Sequence, residues 1–331
     1  MGVMFSLLAV VVLILIAVAG TELAGWRDLF GIVIPYAAVV AFVIGVIYRV
    51  LKWARSAVPF RIPTTCGQQK TLPWIKSSKL DNPHNLFWVL CRMFLEVFFF
   101  RSLFRNTRSV VVEGPRILYS PTKWLWAAGM AFHWSLLIVL IRHCKYFIEP
   151  VPSWLVTMQN LDGFFQIGLP IILTTDVVIV ASLTFLFLRR VVDQKLRYLS
   201  LPADYFPLFL LLGITVSGVF MRYFTKTDLV SIKELAIGLV SFSPVVSSEV
   251  GLVFFVHIFL VSVLLAYIPL SKLMHFAGVF MSPTRNLANN NRVRRHINPW
   301  NPKVKVHTYE EYEDEYRDLM KAAGLPVDKE E

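Results

Sequence analysis

Six mostly apolar stretches, each of about twenty residues, run through this chain. They cover residues 3–20, 31–51, 124–147, 165–188, 204–223 and 250–271. A helix of this length crosses the roughly 30 Å hydrocarbon layer while its backbone groups bond one another. The composition agrees, because 56% of the 331 residues are hydrophobic and the mean hydropathy is +0.59. We therefore predict an all-α integral membrane protein, a helical bundle of about six transmembrane helices.

The segments around these windows predict the organisation of the chain. The first window ends in Ala17-Val18-Ala19, which resembles a signal-peptide cleavage site, but no Lys or Arg precedes its apolar run. We therefore expect a retained helix. After the last window, Lys272 and His275 keep a mostly apolar pattern, and we expect the helix to continue through them. The predicted parts are an N-terminal helix with an outer loop (1–30), a membrane domain (31–281) with a cytoplasmic interfacial segment (about 52–123), and a cytoplasmic polar tail (282–331).

Basic residues between the windows predict the orientation. The segment from Arg49 to Lys123 holds thirteen Lys and Arg residues against Asp81, Glu96 and Glu113. The loops after the fourth and sixth windows are basic too. Because Lys and Arg accumulate on the cytoplasmic side of membranes, we expect these segments and both termini to lie inside. The net charge of +11 then reflects topology and contact with anionic membrane lipid, and requires no nucleic acid.

Two segments outside the six apolar windows each leave an alternative open. An aromatic stretch of the inner segment, from Asn85 to Arg101, is expected to lie along the membrane surface. The alternative is a seventh span, which the basic residues on both of its sides disfavour. The tail becomes strongly acidic from Glu310 to Asp318. It is either a solvated tail or a docking arm for a cytosolic subunit.

Four histidines belong to two of the apolar segments. His133 and His143 are on the third, and His257 and His275 are on the sixth and its continuation. An ionisable side chain in hydrocarbon is costly, so four of them indicate a functional site. On straight helices the first two lie roughly 15 Å apart and the last two roughly 27 Å apart. Because the two helices are antiparallel, we expect two cross-helix pairs: His133 with His275 toward the inside, and His143 with His257 toward the outside.

Paired imidazoles from two helices are typical axial ligands of a haem that transfers electrons. The four histidines therefore predict two stacked b haems. The cysteines Cys66, Cys91 and Cys144 form no C-x-x-C pair, so covalent haem attachment and a cysteine-bound cluster are not encoded. Two alternatives stay open: a redox-silent membrane anchor for a soluble enzyme, and a proton-coupled transporter that uses Asp176 and the histidines as a relay.

The ten- and eighteen-residue histidine spacings, on helices three windows apart, resemble the gamma subunit of respiratory nitrate reductase, a dihaem cytochrome b that oxidises quinol. The resemblance covers roughly residues 30–278, which hold five of the six windows. The added first helix, the long basic inner segment and the extended tail look more like the branch attached to heterodisulfide-reductase-like (Hdr-like) menaquinol-oxidising enzymes. That branch includes the M subunit of the Dsr complex of sulfur-metabolising prokaryotes.

This resemblance implies a location, partners and a reaction. It implies a multi-pass protein of the prokaryotic cell membrane that oxidises menaquinol near the outer haem and passes electrons inward to a cytosolic iron–sulfur subunit. Some complexes of this kind also contain an outer multihaem cytochrome and further membrane subunits. By the same resemblance, His143 and His257 hold the outer haem iron, and His133 and His275 hold the inner one. The residues themselves do not fix the direction of electron flow.

A quinol site of this kind needs proton-accepting groups beside the outer haem. Asp176 is the most informative, since a carboxylate deep in a span must pair, face a cavity or relay protons. Its alternative role is a buried partner for Thr174, Thr175 or a basic residue. Arg142 stands directly before His143, where the nitrate reductase subunit has a small residue, and we expect it to bind a haem propionate. The other expected quinol-site residues are Lys145, Asp162, Gln166 and Glu249.

Overall fold

The apolar windows fold as long helices. The computed structural model describes residues 2–56, 58, 67–114, 116–163, 171–225, 227–294, 303 and 305–329. Within these ranges, five helical stretches are long and apolar enough to cross a membrane. They are Gly2–Leu23, Leu29–Ala54, Lys123–Tyr146, Pro202–Tyr223 and Leu252–Leu270. The chain is therefore a multi-pass, mainly helical membrane protein, as predicted.

Helices account for nearly all of the regular structure. Short turns of other helical types join or extend several of them, at residues 19–23, 29–33, 144–146, 268–270 and 272–274. In chain order the described elements are α1 (Gly2–Val18), α2 (Ile34–Ala54), α3 (Leu86–Phe99), α4 (Arg101–Phe104), β1 (Thr107–Val112), β2 (Arg116–Pro121), α5 (Lys123–His143), α6 (Ser153–Asp162), α7 (Thr174–Val192), α8 (Gln194–Leu199), α9 (Pro202–Tyr223), α10 (Leu229–Val240), α11 (Leu252–Tyr267), α12 (His275–Met281), α13 (Pro283–Asn286) and α14 (Tyr309–Ala322).

Helix α7 differs from the five apolar helices in its charge. It begins at Thr174, later than the predicted window 165–188, and its 19 residues include Asp176, Arg189 and Arg190. It nevertheless packs against both α5 and α9. The predicted number of six spans is therefore not confirmed, because α7 has the length of a span but more charge than one normally carries.

Helix α11 supplies much of the buried core. Its Phe255 and Leu260 are fully buried and pack in one cluster with Val10 of α1, Phe30 before α2 and Leu210 of α9. Association of helices inside a membrane depends on close packing of this kind, because lipid tails are as apolar as the side chains. The contacts of α11 with three other apolar helices therefore fix where its histidine lies.

The last apolar helix breaks before His275. After Tyr267 the chain makes two short 3₁₀ turns, and α12 begins only at His275. Pro269 lacks the backbone N–H that a continuing helix needs, and the Ser271 hydroxyl accepts a hydrogen bond of 3.1 Å from the backbone N–H of Leu273, which starts a new turn. The predicted continuous helix is wrong, and the separation estimated for a straight helix does not apply.

Glycines bring α2 close to this break. A Cβ atom built on Gly31 would lie 3.4 Å from Phe255, and one built on Gly45 would lie 2.5 Å from the Cβ of Pro269. The earlier glycine meets the earlier of these two partners and the later glycine meets the later one, so α2 and α11 run parallel. Small residues permit such close approach between membrane helices. Gly45 therefore lets α2 pack directly on the point where the last helix breaks.

The segment between α2 and α5 folds into a helix and a hairpin. Helix α3 has 14 residues, fewer than the roughly 20 that a span needs, so the alternative of a seventh span is not supported. The all-α prediction did not include the antiparallel hairpin of β1 and β2, in which Thr107 pairs with Pro121. The indole N–H groups of Trp126 and Trp134 on α5 donate to backbone carbonyls at the end of α3, at 2.8 and 3.1 Å. These bonds attach α3 to α5.

Asp81 stabilises this segment through arginines. Its carboxylate accepts hydrogen bonds from Arg101 at 2.6 Å, from Ser78 at 2.9 Å and from Arg105, and its backbone carbonyl accepts one from Arg92 at 2.8 Å. Burial alone would raise the pKa of Asp81, but the hydrogen bonds from Arg101, Arg105 and Ser78 outweigh it and hold the pKa well below its usual range. Asp81 therefore stays ionised and neutralises part of this basic region.

The acidic tail contains a helix with its own stabilising contacts. The Thr308 hydroxyl accepts from the backbone N–H of Glu311, and the Glu311 carboxylate accepts from the backbone N–H of Thr308, at 3.2 and 3.1 Å. This is a capping box. The carboxylate of Glu313 accepts from the backbone N–H groups of Asp328 and Lys329 at 3.0 and 3.1 Å. The tail is thus partly folded on itself, and its role as a docking arm stays a prediction.

We predict that Gly45→Ala destabilises the bundle. The added methyl group would lie too close to Pro269, and overpacking costs about 1–3 kcal/mol, against a gain of roughly 1 kcal/mol from the better helix propensity of alanine. Thermal unfolding in detergent should therefore show a lower midpoint. Gly251→Ala, at the N-cap of α11, is the control for an added methyl group without a steric contact, because a Cβ atom there meets nothing within 4 Å. Equal midpoints for the two variants would contradict the close approach of α2 to the break.

Candidate functional site

Two pairs of imidazole rings connect α5 to the last helices. His143, at the end of α5, lies opposite His257 of α11, with ring centroids 6.4 Å apart and an angle of 10° between the ring planes. His133, ten residues earlier on α5, lies opposite His275 at the start of α12, with centroids 5.9 Å apart and planes at 84°. We name these the α11 pair and the α12 pair. The four rings are thus brought together in the combination that their spacing predicted.

Each ring is oriented through its Nδ1 atom. In His133 and His143 this atom lies 2.7 Å from the carbonyl oxygen four residues earlier, and in His275 it lies 3.1 Å from the carbonyl oxygen of Lys272. In His257 it lies 2.9 Å from the hydroxyl of Ser217. Because a carbonyl oxygen only accepts, Nδ1 carries the proton in the first three rings, and their Nε2 atoms keep a lone pair.

The ring separations fit iron bound between the two rings of each pair. Imidazoles that bind one metal ion from opposite sides, each at about 2 Å, have ring centroids about 6 Å apart. A metal-binding histidine ordinarily donates its other N–H to a carbonyl or similar acceptor, which these Nδ1 contacts reproduce. Among the residues that the structure describes, no group hydrogen-bonds to the Nε2 atom of any of the four rings. The donor set therefore fits two bis-imidazole haem groups.

A glycine and two phenylalanines shape the surroundings of two of the rings. A Cβ atom built on Gly218 would lie 3.3 Å from Cε1 of His257, so the absence of a side chain there makes room for the ring. Phe100 and Phe132 pack edge-on against His133, each with a centroid distance of 4.9 Å. Pockets for flat organic cofactors are mostly lined by apolar and aromatic side chains, and the two phenylalanine rings give His133 surroundings of this kind.

The four histidines lie in a region that matches a known family. Residues 86–296 match the family model described as nitrate reductase gamma subunit. The chain belongs to the nitrate reductase gamma subunit family. Two relatives are each named Hdr-like menaquinol oxidoreductase cytochrome b-like subunit. The one from Archaeoglobus fulgidus is 49% identical over 281 residues, which are 83% of this chain and 84% of the relative. The one from Archaeoglobus profundus is 44% identical over 280 residues, 82% and 83%.

This member of the nitrate reductase gamma subunit family carries a buried ion-pair network beside the α11 pair. Arg142, the residue before His143, donates from one guanidinium nitrogen to Asp162 and from another to Asp176 at 2.8 Å. Asp176 also accepts a hydrogen bond of 2.8 Å from the hydroxyl of Tyr223. The arginine and both carboxylates are less than a tenth exposed. Buried charges of this kind are stable only when paired and hydrogen-bonded.

The network joins four helices and balances its own charge. Asp162 ends α6, Asp176 lies in the first turn of α7, and a second cation, Arg222 of α9, lies 3.9 Å from Asp176. Two carboxylates thus face two arginines, one of them only partly buried. Asp176 has the alternative role foreseen for it, as a buried partner of a basic residue. Whether Asp162 and Asp176 also serve quinol, and whether Arg142 also binds a propionate, stay predictions.

The other predicted quinol-site residues occupy different surroundings. Lys145 donates a hydrogen bond of 2.7 Å to Gln159 of α6. Glu249 is exposed in the loop before α11, and Gln166 lies outside the described residues. A shallow cavity of about 350 Å³ lies between the loop after α5 and helix α10, and none of the predicted residues lines it. The structure therefore gathers Asp162 and Asp176 around Arg142 and leaves Glu249 apart.

Three contact residues were not predicted. Arg222 and Tyr223 end the predicted window 204–223, and polar groups at the end of a span are available to pair with a charge on a neighbouring helix. Asp176 is such a charge, so the sequence did contain a signal for its pairing with these two residues. Ser217, which contacts His257, gave no such signal, because a serine inside a helix more often bonds to its own backbone.

We predict that Asp162→Ala strongly destabilises the protein. Removing one partner of a buried ion pair costs about 3–5 kcal/mol, because the other charge stays buried. The matched control is Lys305→Ala, which removes a pair with Glu311 in which both side chains are exposed and which should contribute about 0–1 kcal/mol. Thermal unfolding in detergent should lower the midpoint far more for the first variant. Equal decreases would show that Arg142 does not depend on Asp162.

Proposed function

We propose that this chain is the dihaem membrane cytochrome b subunit of a menaquinol oxidoreductase. The observation that carries the proposal is the presence of two imidazole pairs, each with a ring separation that fits bis-imidazole ligation. Membership of the nitrate reductase gamma subunit family supports it, and so do the names of the two Archaeoglobus relatives, which include both cytochrome b and menaquinol oxidoreductase.

In this proposal the four histidines would hold two haem irons. His143 and His257 hold the iron of one haem, and His133 and His275 hold the iron of the other. Helix α5 supplies one ligand to each, and its rise places these two ligands roughly 15 Å apart along the membrane normal. The hydrogen bonds at Nδ1 keep each ring in the orientation that presents Nε2. When bound, bis-imidazole haem accepts and releases single electrons.

The basic segment favours one orientation of this pathway. The α12 pair lies at the end of α5 that carries the helix and hairpin before it, since Phe100 contacts His133. Lys and Arg accumulate on the cytoplasmic side of membranes, so the α12 pair is the inner one in this proposal, and both termini are cytoplasmic. The same basic region is the surface on which a cytosolic iron–sulfur subunit would receive electrons.

The polar network favours the opposite end for quinol. Oxidation of a quinol releases two protons with its two electrons, so its site needs acceptors close to the outer ligands. Asp162 and Asp176 lie next to the α11 pair through Arg142, and the hydroxyl of Tyr223 extends the hydrogen-bonded chain. In the proposal these groups accept the two protons on the outer side, and the haems that the two histidine pairs would hold would supply the path for the two electrons to the cytosolic iron–sulfur subunit. This reaction would contribute to the membrane potential.

Optical redox titration of the purified chain tests the ligand assignment. We expect two low-spin haem b components. His143→Ala and His257→Ala should remove one and the same component, and His133→Ala and His275→Ala should remove the other. His307→Ala, which changes a half-exposed histidine of the tail, should preserve both.

Loss of different components by two members of one pair would refute that pairing. A colourless wild-type chain would refute the function as a cytochrome and favour a membrane anchor instead. Transport of a substrate by liposomes that contain this chain alone would favour the transporter. These outcomes separate the three functions that the sequence left open.

A further inference from the structure

Arg49 is a charged residue of α2 with an unusual environment. Its Nε atom is buried and has no hydrogen-bond partner, and its guanidinium group contacts the ring of Trp53, 5.6 Å from the centroid. Within the part of the chain that the structure describes, Arg49 forms no ion pair. A buried donor of a charged group without an acceptor costs free energy, and such groups in native proteins normally bind something.

The neighbours of Arg49 on its helix define where it faces. Residues four apart lie on one face of a helix, so Gly45, Arg49 and Trp53 form one row on α2. A Cβ atom on Gly45 would meet Pro269, and one on Gly278 would lie 3.5 Å from Trp53. The two ends of the row thus contact the segments before and after His275. Arg49, in the middle of the row, lies at the depth of His275 and faces the break that positions it.

Several other cations near this region are paired with carboxylates among the described residues. Lys272, three residues before His275, donates to Asp204 at 2.7 Å. Arg101 and Arg105 both bind the carboxylate of Asp81. Arg142, which was predicted to bind a propionate, is held by two carboxylates next to the other histidine pair. Arg49 therefore has a free donor at a depth where an anionic group of a cofactor would need one.

We propose that Arg49 binds a propionate carboxylate of the haem held by His133 and His275. This proposal rests on the proposed function. A haem b carries two carboxylate-ended side chains on one edge of its ring, and an arginine fork is well suited to a carboxylate. The row of Gly45, Arg49 and Trp53 belongs to α2, which lies outside the family match at residues 86–296. Arg49 would thus be a ligand contact supplied by the N-terminal part of this chain.

The charge of Arg49 has a measurable consequence for the inner haem. A nearby positive charge favours the reduced iron, which carries one positive charge fewer than the oxidised iron. Haem potentials depend on such interactions around the ring as well as on the axial ligands. Removal of the charge should therefore lower the midpoint potential of the component that depends on the α12 pair and leave the other component unchanged.

The test compares Arg49→Gln, Arg49→Lys and the control Lys52→Gln by optical redox titration of the detergent-purified chain. Lys52 lies in the last turn of α2 and is exposed, so its substitution removes one charge nearby without touching the proposed contact. Arg49→Gln should lower the midpoint of the component that His275→Ala removes, or lower its content. Arg49→Lys keeps the charge and should lie closer to the wild type, and Lys52→Gln should match the wild type.

If Arg49→Gln keeps both haems and leaves both midpoint potentials unchanged, the proposal is overturned. The same is true if Lys52→Gln shifts the component as much as Arg49→Gln. A phosphate of a membrane lipid is the other source of an anionic oxygen. If Arg49→Gln changes only the stabilisation of the protein by added anionic lipid, the partner of Arg49 is a lipid phosphate. That result also overturns the haem contact. A colourless wild-type chain overturns the proposed function together with this inference.

Discussion

The fixed orientation of four imidazole rings in an apolar bundle is the constraint on which the rest of this structure depends. Three of them donate through Nδ1 to backbone carbonyls, and His257 contacts the Ser217 hydroxyl. The ring centroids of the two pairs lie 5.9 and 6.4 Å apart across the gaps between helices. Helix α5 contributes one ring to each pair, so its ten-residue spacing sets the distance between the two pairs. The break at Pro269 allows α12 to bring His275 opposite His133.

Buried charge is used differently at the two ends of the bundle. Beside the α11 pair, Arg142 is neutralised by Asp162 and Asp176, so the network stabilises the junction of α5, α6 and α7 and also places carboxylates near the proposed outer haem. Toward the α12 pair the charge is mostly basic, and Arg49 keeps a buried donor without an acceptor. This asymmetry agrees with the proposed function, in which protons are released beside the α11 pair and the basic end faces the cytoplasm.

Much of the fold and the histidine pairing could be predicted from the sequence, because both depend on local patterns. Apolar windows predict helices in lipid, and the depth of a histidine follows from its position along the window. The break after Tyr267 was missed although Pro269 signals it, because the apolar pattern continues on both sides. The partners of Arg142 could not be predicted, since they come from α6 and α7 and depend on packing rather than periodicity. The hairpin of β1 and β2 lies in a basic segment whose pattern predicted only a surface location.

The central claim is that this one chain binds two haem b groups through four histidines. A pyridine haemochrome assay combined with iron quantitation on the purified chain tests it most directly. The proposed function predicts two haem b and two iron atoms per chain, one for each imidazole pair. A preparation with full occupancy of a single haem, or with none, would contradict it.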